Sequence, residues 1–175
     1  MTHEKTDKTD IITVDDKVNI GLNGHDITGN GEDTVIEVEK GGDLTIKGDG
    51  EISNTVGEGE DAKTANGIDV EGKLTLDGVA IKDTDTAVNV EEGGTAEIKD
   101  STITDNNTGV AFVDDGNVTF VGDQNVVNGN TTNISGTGKV KLNWTVRPTR
   151  WTPKPSRLCW QTRTRSPHMA QVSTA

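Results

Sequence analysis

Apolar residues recur along this chain as short alternating pairs, and the pairs themselves recur. Four segments show one plan: TVIEVEKGGDLTIKGDGEISN from Thr34, NGIDVEGKLTLDGVAIKD from Asn66, TAVNVEEGGTAEIKDSTITDN from Thr86 and TGVAFVDDGNVTFVGDQNVVN from Thr108. Each has an apolar-x-apolar pair, a Gly-rich turn, a second such pair, then a third apolar position before Asn or Asp. Alternation of this kind is the strand period of two. The first column runs Ile12/Val14, Ile36/Val38, Ile68/Val70, Val88/Val90, Val110/Phe112 and Thr132/Ile134. The second runs Val18/Ile20, Leu44/Ile46, Leu74/Leu76, Ala96/Ile98, Val118/Phe120 and Val140/Leu142. A looser third column is Ile27, Ile52, Ile81, Ile103 and Val126. Steps along the first column are 24, 32, 20, 22 and 22 residues, and the longest contains a polar insertion, TVGEGEDAKTA, from Thr55 to Ala65.

Three short strands per repeat, recurring about six times, predict an all-β chain: a single-stranded parallel β-helix, or solenoid. At the ~4.8 Å strand spacing, six coils make a rod ~29 Å long. A βαβ arrangement is excluded, because no segment offers the ten or more residues of helical period that a crossover needs. The central core is expected from Ile36, Ile68, Val88 and Val110 in one column and Ile46, Leu76, Ile98 and Phe120 in the other. Asn30, Asn54, Asp83, Asn106 and Asn128 fall at one corner and predict a ladder of amides and carboxylates there. The glycine-rich stretch IGLNGHDITGNG, from Ile20 to Gly31, is then a corner; its His25 and Asp26 have no counterparts in later repeats.

These residues resemble a known family. LNGHDITGNG, VIEVEKGGDLTIKGDG, GKLTLDGVAIKD and GGTAEIKDSTITDNNTGV are similar to the right-handed parallel β-helix repeats of bacterial cell-surface, adhesin-like proteins. That group is a non-catalytic branch of the pectate-lyase-like superfold. The resemblance covers about residues 11–146. It implies right-handed coiling, extracellular or cell-surface display, and a role as spacer or adhesive surface of a larger protein. The partner it implies is a surface ligand, glycan or protein.

Composition agrees with an aliphatic rather than an aromatic core. Aromatic residues make up 3 % of the chain and Tyr is missing, while Gly reaches 21. One Cys allows no internal disulfide. No apolar run approaches the ~20 residues of a membrane span, so no membrane insertion is expected. The net charge of −12 argues against nucleic acid, whose phosphates repel carboxylates.

That net charge hides a break. Residues 1–146 hold all 29 acids, 11 Lys and no Arg, giving 11 − 29 = −18; residues 147–175 hold five Arg and one Lys, giving +6. All four Pro lie after the break and all 21 Gly before it. Residues 1–10, MTHEKTDKTD, are a polar extension without the apolar segment of a signal peptide. The chain therefore divides into this extension, a β-helix over 11–146 and a basic Pro/Arg/Trp tail over 147–175, expected to be unstructured. The tail is read as a natural basic arm, a cloning remnant or a product of a shifted reading frame. Read two nucleotides out of frame with G/C-rich codons, RPTRWTPKPS contains DAVDAEA, which restores an acidic chain.

The enzymes of the superfold, polysaccharide lyases and glycoside hydrolases, are the alternative function, as a fragment that binds or degrades polysaccharide. Their resemblance asks for an Arg base beside clustered Asp, or for Gly-His-Gly and Arg-x-Lys. Residues 1–146 have no Arg, and only Gly24-His25-Asp26 and Asp114-Asp115 come near. A general acid and base must face one cleft, which adjacent turn residues do not. No catalytic residue and no cofactor is therefore expected. TGNGEDTVI, from Thr28, matches most of one calcium-binding nonapeptide, but the next nine residues, EVEKGGDLT, break it. Weak Ca²⁺ binding on the acidic face is the one metal chemistry left. An outward row of Asn19, Thr45, Thr75, Glu97, Thr119 and Lys141 is too charged for the hydroxyl lattice of an ice-binding face. Five Asn-x-Ser/Thr sequons begin at Asn106, Asn117, Asn130, Asn133 and Asn143, and matter only in a host that glycosylates.

A chain ending at Val146 should melt at the same temperature as the full chain by circular dichroism. A markedly lower melt would make residues 147–175 a working cap.

Overall fold

The computed structural model describes residues 11–57, 63–113, 115–137 and 139–143. Coil by coil, the strands are β1 (Ile12–Val14), β2 (Lys17–Gly21) and β3 (Ile27–Thr28); then β4 (Ile36–Val38), β5 (Asp43–Lys47) and β6 (Glu51–Ser53). A short ribbon follows, β7 (Thr55–Val56) and β8 (Lys63–Thr64). The third coil is β9 (Ile68–Val70), β10 (Lys73–Asp77) and β11 (Ala80–Lys82), and the fourth is β12 (Thr86–Val90), β13 (Thr95–Lys99) and β14 (Thr102–Ile103). The fifth is β15 (Thr108–Phe112), β16 (Asn117–Val121) and β17 (Val126–Val127), and β18 (Thr132–Gly136) and β19 (Lys139–Asn143) begin a sixth.

These strands form three stacked sheets. The first runs β1-β4-β9-β12-β15-β18, the second β2-β5-β10-β13-β16-β19, and the third β3-β6-β11-β14-β17. Pairing between coils is parallel throughout, and among the described residues only β7 with β8 is antiparallel. The fold is an all-β parallel solenoid of about five turns: five complete coils, and a sixth whose first two strands are described. The expectations for residues 1–10 and 147–175 lie outside the described residues.

The core columns stack like on like. Ile12, Ile36, Ile68, Val88 and Val110 are Cα partners in succession, as are Ile20, Ile46, Leu76, Ile98 and Phe120. Ile36, Ile68, Val88, Val110, Ile46, Leu76, Ile98 and Phe120 are all buried. Only Phe112 and Phe120 among the buried apolar residues are aromatic. At ~1.5–3 kcal/mol for each fully buried Val, Ile or Leu, aliphatic residues suffice to offset chain ordering. β-Branched side chains suit this role, because their restricted χ1 fits a pleated surface stacked on its own copy.

Register drifts where a fixed repeat length predicts it should not. Val110 pairs with Ile134 and Phe112 with Gly136, so the sixth member of the first column is Ile134/Gly136 rather than Thr132/Ile134. Ile103 pairs with Val127, which packs on the core, while Val126 is 38 % exposed. Both corrections have one cause: Gly122–Asn125 is a four-residue corner where Asp100–Ser101 has two. The turn after β18 is two residues shorter than the one after β15, which restores the register of the second sheet. Gly136 also fits its column because a Cβ there would collide with the Phe112 carbonyl and ring.

The insertion leaves the solenoid as the β7–β8 ribbon without disturbing the stack: β6 still pairs directly with β11. Glycine is required at the corner entering the second sheet. A Cβ on Gly42 would strike the Val14 carbonyl oxygen, and one on Gly94 that of Val70. At the far end of the same sheet Gly48, Gly78 and Gly122 take positive φ, and Asp100 holds the equivalent place at φ 48°.

Ile98→Asp should lower the melting temperature by ~10 °C or more, since a buried carboxylate without a partner is among the few changes worth above about 4 kcal/mol. The outward neighbour Glu97→Ala should stay close to wild type. Equal melts for the two variants would overturn the inward assignment of Ile98.

Candidate functional site

The third sheet's strands are only two or three residues long, so hydrogen-bonding side chains at its corner must help hold the coils together. Asn54 and Asn106 are buried there with Thr84. Asn54 bonds both backward and forward along the stack: its Oδ1 accepts from the Gly31 N–H (2.8 Å), and its Nδ2 donates to the Asp33 and Asn66 carbonyls (2.8 and 2.6 Å). Asn106 Oδ1 accepts from both the N–H and the hydroxyl of Thr84 (3.1 and 2.8 Å). Asn130 Oδ1 in turn accepts from the N–H and Nδ2 of Asn106 (3.0 and 2.9 Å). A side chain that both donates and accepts can be stacked on its own kind.

The predicted ladder therefore divides. Asn54 and Asn106 belong to this inward rank. Asn30 does not: its Oδ1 accepts from the Glu32 and Asp33 N–H groups and closes a local turn. Asp83 is exposed with φ 52°, beside Asp105 at φ 59° and Gly129 at φ 71° in the neighbouring coils. Asn128 is exposed, and Asn130 takes the inward place, again because the coil carries two extra residues before it. A second ladder, which the sequence pattern had not suggested, ties the corner between the second and third sheets. The Val79 N–H donates to Ser101 Oγ (3.2 Å), and the Ser101 N–H donates to Asn125 Oδ1 (3.2 Å). The spacing of 24 residues from Ser101 to Asn125 and from Asn106 to Asn130 was the available signal.

The glycine-rich stretch expected as one corner runs from the end of β2 through a corner at residues 22–26 into β3, and its polar groups serve the stack. Asp26 Oδ1 accepts from the Glu51 N–H of the next coil (2.9 Å), and His25 beside it is exposed. TGNGEDTVI runs through the turn that Asn30 closes and Asn54 holds. Of the Asp114-Asp115 pair, Asp114 lies outside the described residues.

Two surface arrangements carry chemistry. On the first sheet's outer face Asp69 accepts from Thr34 Oγ1 (2.6 Å), Asn66 Nδ2 (3.0 Å) and Asn89 Nδ2 (3.1 Å), and Asn89 Nδ2 also donates to Glu91 (2.6 Å). Nearby, a shallow groove along the glycine corner is lined by Lys40, Asp43, Glu71, Lys73, Glu91, Glu92 and Asp115. Among the described residues no group of three His, Cys, Asp or Glu is placed to hold a metal ion.

Opposite charges meet between coils on the second and third sheets, although Glu37 and Asp69 are neighbours on the first. Asp43 lies between Lys17 and Lys73 (4.0 and 3.6 Å), and Lys99 bonds both Asp77 oxygens (3.0 and 3.1 Å). Lys82 meets Glu51 at 3.3 Å. The Asp77 carboxylate raises the Lys99 ammonium above the ordinary lysine value, and Glu51 does the same to Lys82. A raised lysine contributes below its unfolded value and loses that contribution only as pH climbs through the folded one, so both pairs hold at neutral pH.

Comparison with family models, with curated proteins and with solved structures gives no match to this chain.

Asn106→Ala strips the partner from the Thr84 N–H and hydroxyl and from the Thr104 carbonyl, and leaves the Ile81 carbonyl with the Thr104 N–H alone. Buried groups left unsatisfied should cost about 2–3 kcal/mol in urea unfolding. Asn128→Ala should cost under about 0.5 kcal/mol. The reverse order would return the ladder to Asn128.

Proposed function

We propose that the chain is a non-catalytic β-helix segment, a spacer or adhesive surface of a larger extracellular or cell-surface protein. The observation that carries this reading is where the polar chemistry goes. Buried Asn, Thr and Ser side chains bond coil to coil, and surface Lys and Asp residues pair between coils. Such a stack resists bending, and it repeats its outer faces along the rod. The likeness of LNGHDITGNG and GGTAEIKDSTITDNNTGV to right-handed adhesin-like repeats supports the same reading and supplies the location. Surface glycan or protein is the partner class.

A polysaccharide-binding or polysaccharide-degrading fragment is the second reading. The Asn66–Asp69–Asn89–Glu91 row favours it, since amides and carboxylates held in fixed orientation match sugar hydroxyls.

One assay separates a degrading fragment from the first reading. Incubated with acidic and neutral polysaccharides, the full chain should release neither reducing ends nor unsaturated products, with Ca²⁺ or without. Release of either, lost in Asp69→Ala, would replace the first reading by the second.

A further inference from the structure

We infer that the two ends of the solenoid bind one another, so that the last coil of one copy seats the first coil of a second copy. Within the stack the inward columns are buried. At the last coil the same columns come to the surface: Ile134 is 39 % and Leu142 is 56 % exposed. At the first coil Ile12, Val18, Ile20 and Ile27 are only partly buried. β1 and β2 are the terminal strands at one end of their sheets, and β18 and β19 at the other. Each end thus presents a strand edge and an apolar face, the combination that templates strand addition.

A second copy of this chain is the occupant that fits. Seating coil one on coil six would place Ile12 on Ile134, Val18 on Val140 and Ile20 on Leu142. Those are the same kinds of pair as Ile12 on Ile36, Val18 on Leu44 and Ile20 on Ile46 inside the stack. Asn19 would lie against Lys141, while Lys17 would fall opposite Lys139, a like-charge pair at the exposed side of the joint that salt would screen. Joining two like ends instead reverses the order of the three sheets, and the columns then cannot match on every side. The described third sheet stops at β17, so the first two sheets carry the joint. The contact is heterologous, and repeating it makes an open fibre. This inference concerns the end faces of the described coils, and its test reads assembly of this chain rather than any spacer or adhesive activity.

Sedimentation velocity on the full chain at rising concentration should show a growing series of elongated species. Leu142→Lys places an ammonium on a side chain already exposed, so it should fold normally by circular dichroism and stay monomeric. Added to wild type it should shorten the series, because its first coil still binds and its last coil cannot. The backbone alternation of a parallel ladder sends the Leu22 N–H to Lys47 in coil two and leaves the Asn19 N–H at the open edge. Asn19→Pro therefore blocks the first end without removing an internal bond. Mixed, the two variants should form 1:1 dimers and nothing larger. If Asn19→Pro fails to fold, the Leu142→Lys titration decides alone. A wild-type chain that is monomeric at all concentrations overturns the inference, as does assembly undiminished by Leu142→Lys. Assembly that begins only when residues 147–175 are removed also overturns it, by making the chain's own tail the occupant. Folded variants that do not pair when mixed overturn the head-to-tail direction.

Discussion

Each residue in the strands of this solenoid lies one strand spacing from its equivalent in the next coil, and the rest of the structure follows from that repetition. A side chain is acceptable only if it can stand on its neighbour above and below. Isoleucine on isoleucine meets the condition through dispersion and burial. Stacked amides meet it because each one donates and accepts, as Asn130 and Asn106 do. Opposite charges meet it by pairing, as Asp43 does between two lysines and Lys99 beside Asp77, while the stacked acids Glu37 and Asp69 are accommodated on the solvated outer face.

The corners carry the freedom that the strands lack. Between β6 and β9 the chain makes a β-ribbon excursion and returns to the register it left. Two residues added before β17 are taken back before β19. This works because a corner has only to reverse direction at the right height, and a residue tolerant of positive φ is enough: Gly48, Gly78 and Gly122, with Asp100 between them. The short third sheet has least backbone pairing, and it is flanked by both buried side-chain ladders. Few ladder bonds and many side-chain bonds at one place are two faces of the same requirement, that buried backbone groups find partners.

This division of labour bears on function. Polar side chains at the corners bind one coil to the next. Asp26, a candidate for chemistry in the sequence, bonds the backbone of the following coil, and Asn54 holds the turn that resembles a calcium nonapeptide. A rod with repeating faces is suited to holding things apart and to binding by many similar contacts, and the proposed spacer or adhesive role uses both properties.

Alternation alone determined the strands, the parallel stacking and the inward columns Ile36, Ile68, Val88, Val110, Ile46, Leu76, Ile98 and Phe120, because burial acts on each residue separately and leaves a period of two in the chain. The glycine-rich first corner was legible for a similar local reason. What only the tertiary structure decided is which polar residues meet. Asn54 and Asn106 look no different in sequence from Asn30 and Asn128, Thr84 carries no pattern of its own, and the 24-residue spacing of Ser101 to Asn125 and of Asn106 to Asn130 does not say which side chains turn inward. Their roles depend on how many residues each corner holds, since one added residue turns an inward side chain outward. Corner length is set by three-dimensional closure of the coil, and a linear repeat does not record it.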